Sequence, residues 1–150
     1  QGGLFNNPSA NNASNTNNSA KSFVEKLEES GDELKKAFYL IQDHALGYSN
    51  VEEALTKKTD NFKYNTQNIL KANINKNVLE MYYALDPKEL DPQVYNHKDV
   101  SHIKAHASEP TLYRITKADE VSVANKLVDE LMKKFGIIQT VNMFLQMKRK

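Results

Sequence analysis

The 150-residue chain contains no cysteine, only five glycines and only four prolines. Without cysteine there is no disulfide framework, no thiolate metal site and no thiol nucleophile. The shortage of glycine excludes more. A loop that cradles phosphate needs backbone able to approach its ligand closely, and two of the glycines are spent on Gly2 and Gly3. No G-x-G-x-x-G, G-x-x-x-x-G-K-[ST] or G-x-S-x-G string occurs, so the sequence gives no support to a nucleotide-binding enzyme or an elbow-type hydrolase. Ser, His and Asp are present, as in any chain of this size, but no spacing marks a catalytic triad. No apolar run approaches the roughly 18 to 20 residues that span a bilayer, and no signal-peptide pattern opens the chain. An excess of one charge is missing too. Twenty Lys and Arg against 19 Asp and Glu leave a net charge of +1, so no global field draws the chain to nucleic acid or a membrane, and any such contact must come from a local patch.

The first twenty residues, QGGLFNNPSANNASNTNNSA, carry no charge at all. A segment made mostly of Asn, Ser, Gly and Ala buries too little apolar surface to offset its ordering entropy, so residues 1–20 read as a disordered arm. Its one apolar pair, Leu4 and Phe5, is the natural anchor for a partner protein. At Lys21 the composition switches to charged and apolar residues. Phe23, Val24, Leu27, Leu34, Phe38, Ile41, Ala45 and Leu46 recur at helical steps, which predicts one amphipathic helix or two. Ser30 and Glu33 make a capping-box pair beside Gly31, so a break is expected there, and Gly47 ends the element. Ser49 and Glu52 repeat the box and predict a short helix over Val51, Ala54 and Leu55 that runs out near Thr59.

Residues 60–85 read as a third helix, with Ile69, Leu70, Ile74, Val78, Met81, Tyr82 and Leu85 on one face. Six asparagines interrupt it and lower its propensity, so packing would have to hold it. Phe62, Tyr64, Tyr82 and Tyr83 are candidates for an aromatic cluster, either core packing or a stacking platform for bases. Asp86-Pro87 and Asp91-Pro92 place an acceptor before a proline, which predicts one or two short helical turns in a connector over residues 86–100. Beyond it, His102, Lys104 and His106 alternate with Ile103, Ala105 and Ala107, and Leu112 to Ile115 form a strand-like run, so two short strands are expected.

The strongest local signal is the stretch from Thr116 to Gly136. Val121, Ala124, Leu127, Val128, Leu131, Met132 and Phe135 fall on one helical stripe, with Thr116 or Asp119 available as cap and Gly136 as stop. Residues 101–150 are therefore expected to pack on a helix over 117–135. Residues 137–147 fit both periods, and the β-branched start at Ile137, Ile138, Thr140 and Val141 favours a strand. The expected fold is mainly α, a small helical bundle over residues 21–85 to which residues 101–150 can add a small α+β unit of strand, strand, helix and strand.

Two constellations carry chemistry worth naming. His102 and His106 stand four residues apart near His97, Asp99 and Glu109, a weak candidate for a metal site, since no second ligand cluster is visible and no HExxH acid is present. Lys133, Lys134, Lys148, Arg149 and Lys150 form a basic end suited to phosphate contact. No catalytic residue and no cofactor is indicated. The expectation is a non-enzymatic structural or assembly protein, such as a processed virion component, that binds protein partners or itself through Leu4, Phe5 and its amphipathic helices. The alternative is a small nucleic-acid-binding module using the basic end.

Overall fold

The structure, a computed structural model, describes residues 20–141, 147 and 148. Two tight turns decide its architecture. Asn65 and Thr66 have φ of 51° and 67°, and Lys76 and Asn77 have φ of 52° and 65°. Positive φ at both central residues is what a two-residue β-hairpin needs to match the right-handed twist of its strands. These turns connect β2 (Asp60–Tyr64) to β3 (Gln67–Asn75) and β3 to β4 (Val78–Tyr83). The third helix expected over residues 60–85 is therefore three strands, and the mainly α reading is overturned.

The physical reason lies in the ladder. Leu70, Ala72 and Ile74 alternate along β3 and oppose Tyr83, Met81 and Leu79 of β4, so one face of the hairpin is a continuous apolar surface. The helical subset mixed residues from both faces of the sheet. Leu70 and Met81 lie in the main core, whereas Tyr82 belongs to a separate cluster. The asparagines that weakened the helix are at home here, with Asn65 and Asn77 in the turns.

Val51–Leu55, expected as a short helix, is the edge strand β1, antiparallel to β2 with Val51 opposite Tyr64 and Leu55 opposite Asp60. β5 (Lys98–Asp99) and β6 (Thr111–Ile115) complete an antiparallel sheet in the order β1-β2-β3-β4-β6-β5. The run at Leu112 to Ile115 is a strand as expected, but it pairs with β4 in a six-stranded sheet. The alternating run at 102–107 is not a strand, and Lys104–His106 is a 3₁₀ turn. Both proline turns form. Asp86 accepts from the Lys88 amide at 3.0 Å and Asp91 from the Gln93 amide at 2.9 Å, opening a 3₁₀ turn at Pro87–Glu89 and the short helix α3 (Pro92–Tyr95).

Three helices cover one face of the sheet. α1 (Phe23–Glu29) and α2 (Asp32–Leu46) are divided at Ser30 and Gly31, where the break was expected. The working capping box is Ser22 with Glu25, however. Ser30 instead closes α1, its hydroxyl donating to the Lys26 carbonyl at 2.6 Å. The third is α4 (Val121–Lys134), which buries six of the seven predicted stripe residues and packs the seventh, Phe135, against the core. Neither Thr116 nor Asp119 caps its start. A 3₁₀ turn at Ala118–Glu120 precedes it, and the Glu120 carboxylate accepts from the Thr116 and Lys117 amides at 2.7 and 3.0 Å. At its end Gly136 takes φ +69°, while Ile137 and Gly136 donate back to the Met132 and Lys133 carbonyls at 2.9 and 3.1 Å. This paired closure satisfies the last carbonyls and stops the helix where the sequence placed the stop.

One apolar core runs from Phe23 to Ile137 between the helices and the sheet, and Tyr83 reaches across it to donate to the Ala124 carbonyl at 2.8 Å. The strand expected over 137–147 reduces to a single bridge between Gln139 and Tyr48, after which Thr140 and Val141 are helical. Residues 142–146 of that reading, and the arm up to Ser19, lie outside the described residues.

Asp60 is 1% exposed on the helix side of β2. Burial, followed by a hydrogen bond to Glu53 and the charge of that group, pushes its carboxyl up to about 8. An acid whose folded value is raised binds its proton more tightly in the native state, so its contribution to stability is full below about pH 4 and is lost as pH rises through about 8. Asp60→Asn keeps a donor toward Glu53 without the titration. Thermal melts between pH 5 and 9 should show the variant gaining on the wild type as pH rises. In the second hairpin turn residue of β2–β3, Thr66→Gly relieves a β-branched residue at positive φ and should raise stability by about 0.5 to 1 kcal/mol, measured by urea unfolding.

Candidate functional site

Alternation along the strands sends a second set of side chains away from the helices. On this open face Asn61, Lys71, Tyr82 and Leu112 are successive register partners across four strands, and Asn73, Glu80 and Arg114 form the next row. The segment between α3 and β6 folds back over this face, pinned where the Val100 amide donates to the Pro110 carbonyl at 2.9 Å. Val100 joins Tyr82 and Leu112 in a small apolar cluster.

His106 lies flat on Tyr82, with ring centroids 4.1 Å apart and an interplanar angle of 12°. Lys71 ties the segment down. Its ammonium donates to the Ala105 carbonyl and to His106 Nδ1, both at 3.1 Å, and pairs with Glu109 Oε1 at 3.4 Å. It also stands 5.0 Å from the Tyr82 ring centroid. Because an ammonium only donates, His106 Nδ1 is an acceptor and the imidazole is neutral. Burial, followed by the charge of Lys71, holds His106 below its ordinary value, with Glu80 opposing.

A second network adjoins the first. Glu80 accepts from the Tyr82 hydroxyl at 3.0 Å and from Asn73 Nδ2 at 3.4 Å through one oxygen, and from Arg114 Nε at 3.3 Å through the other. Burial, followed by the Glu80 charge, raises the Tyr82 phenol, which therefore keeps its proton. Glu80 and Glu109 are 5% and 4% exposed, and a carboxylate so buried is tolerable only when paired and hydrogen-bonded. These pairings join strands to the covering segment and leave the acids and bases occupied with one another. Tyr82 is occupied as well, since His106 covers its ring. Phe62 and Tyr83 are in the core on the other side of the sheet, so the four aromatic residues form no common stacking platform.

His102 is exposed in the covering segment, whereas His106 turns inward to Tyr82, and the two do not share surroundings. Among the described residues no group of three or more His, Asp and Glu is placed to hold a metal ion. At the basic end, Lys134 donates to the Ala84 carbonyl at 2.9 Å and lies 5.5 Å from the Phe135 ring centroid. Lys133 lines a cavity of about 440 Å³ with Tyr48 and Asp129, and Lys148 is exposed. Arg149, Lys150, Leu4 and Phe5 lie outside the described residues.

Sequence reasoning missed two groupings. The network of Lys71, Glu80, Glu109 and Arg114 escaped notice because a helical reading of 60–85 hides the alternation that sends Lys71 and Glu80 to one face, and because the partners Glu109 and Arg114 come from segments more than 30 residues away. His44 Nε2 and the Tyr48 hydroxyl both meet Asp129 Oδ1, at 2.7 and 2.6 Å, joining α2 to α4 beside the cavity. Their partner is more than 80 residues away, and no local pattern announces it. Compared with protein families, curated proteins and solved structures, the chain matches none.

Removing one member of a buried pair strands the other. Lys71→Met leaves Glu109 without its cation and should cost ~3 to 5 kcal/mol in urea unfolding. Adding Glu109→Gln should recover part of that loss.

Proposed function

We propose that this chain is a non-enzymatic binding protein that engages protein partners, a second copy of itself included, through the outward side of α2. The observation that carries the reading is a second apolar line on that helix. Tyr39, Leu40 and Leu46 are 47%, 45% and 38% exposed, although α2 already buries Leu34, Ala37, Phe38, Ile41 and Ala45 in the core. Tyr39 and Leu46 are two turns apart on one side, with Leu40 beside them. The near-zero net charge opposes self-association only weakly. On the open sheet face Lys71, Glu80, Glu109 and Arg114 are paired with one another, an arrangement that suits a structural role for that face. Leu4 and Phe5, the apolar pair of the uncharged arm, are a second contact in this reading.

The virion or large-assembly version is not carried forward. No observation among the described residues supports it, and the apolar residues of 60–85, expected on an amphipathic helix, are on strand faces largely consumed by the chain's own core. The nucleic-acid alternative gains no specific observation, since Lys134 is engaged and Tyr82 is covered.

Sedimentation across a concentration series should show reversible self-association. Leu40→Glu with Leu46→Glu should raise the dissociation constant by at least about tenfold while leaving the helical circular dichroism unchanged. A chain that stays monomeric at every concentration removes the homotypic contact. Hydrogen exchange of the arm, alone and with a partner complex, then tests Leu4 and Phe5 separately.

A further inference from the structure

His106 sits where a second positive charge has little room. Lys71 Nζ is 3.1 Å from its Nδ1, and one face of the ring is stacked on Tyr82 with centroids 4.1 Å apart. We propose that His106 is an acid-sensitive latch: its protonation releases residues 100–109 from the sheet and exposes Tyr82 and Leu112 to solvent. On protonation Nδ1 becomes a donor aimed at an ammonium, so the Lys71 hydrogen bond is replaced by a contact between like charges. The groups that face the ring set the balance. Lys71 on β3 opposes its charge, Glu80 on β4 favours it but is already held by Arg114 on β6, the Tyr82 phenol is neutral, and Glu109 is bound to Lys71.

Among the described residues, the other attachments of the segment include the Val100 amide to the Pro110 carbonyl, the Ser101 amide and hydroxyl to Asp99 Oδ1 on the edge strand β5, Lys71 to the Ala105 carbonyl, the Lys71–Glu109 pair and the small cluster of Val100, Tyr82 and Leu112. The two that reach β3 depend on the same lysine. β3 and β4 are held on both sides by other strands, so the segment can open while the sheet remains intact. The sign follows from the depressed histidine. The docked state binds fewer protons, so docking is at full strength above the ordinary histidine value near 6.5 and weakens as pH falls through it, by at most about tenfold per pH unit.

The test is native-state hydrogen exchange of the full chain from pH 7.5 to 5, corrected for intrinsic rates, together with NMR titration of the histidine rings. Protection at Val100, Ile103, His106 and Glu109 should fall by about tenfold per pH unit below 6.5, while the amides of β3 and β4 stay protected. His106 should titrate below 6.5, and His106→Phe, which keeps the stacked ring without the proton, should show flat protection. The latch is overturned by wild-type protection that does not change with pH, by the same decline in His106→Phe, or by a His106 titration at or above 6.5. Should the variant not fold, the wild-type titration and exchange decide the matter.

Discussion

The antiparallel ladder around β3 is the constraint on which the rest of the structure depends. The first part of β3 pairs with β2 and the stretch from Leu70 to Asn75 with β4, each connection being a tight turn. From Leu70 onward period-two alternation sorts the side chains to one of two faces, and a slip by one residue would exchange them. Leu70, Ala72 and Ile74 receive the helices, and Lys71 and Asn73 are committed to the other side. The apolar stripe of α4, with Leu127, Leu131 and Met132 fully buried, has a surface to pack on only because the ladder presents one.

The two faces are stabilised by different physics. Between sheet and helices the gain comes from apolar burial, which is non-directional and tolerant of detail. On the open face, Glu80 and Glu109 gain little from burial as such and depend on Arg114, Tyr82 and Lys71 standing at particular distances. That dependence makes the covering segment conditional. Its attachment to the sheet runs through a lysine, a neutral imidazole and a carboxylate, each of which changes its interactions when a neighbour changes charge. The helical side has a similar junction at its rim, where Asp129 receives both His44 and Tyr48. Binding at α2 and opening of the segment would therefore use opposite sides of one sheet.

Legibility followed the range of the interactions. The division of α1 from α2 at Ser30 and Gly31, both aspartate-proline turns, and the stripe and glycine stop of α4 were readable because each is decided within a few residues by capping, φ restriction or helical periodicity. The reading failed at 49–85. There the apolar residues fit a helix and a strand at once, and the choice rested on asparagines treated as a weakness of a helix when they were at home in hairpins. Asn65 and Asn77 tolerate the left-handed backbone that a hairpin turn requires.

The sequence by itself determined the neutral charge balance, the absence of thiol and glycine-loop chemistry, the uncharged composition of the first twenty residues and the helix that ends at Gly136, because composition and nearest-neighbour backbone preferences need no partner. Tertiary structure alone decided that 60–85 is a sheet, that Lys71 meets His106 and Glu109, and that Asp129 joins α2 to α4. A strand obtains its hydrogen bonds from another segment, and a buried charge obtains its counter-charge from wherever the fold brings one. Neither is a property of the local chain.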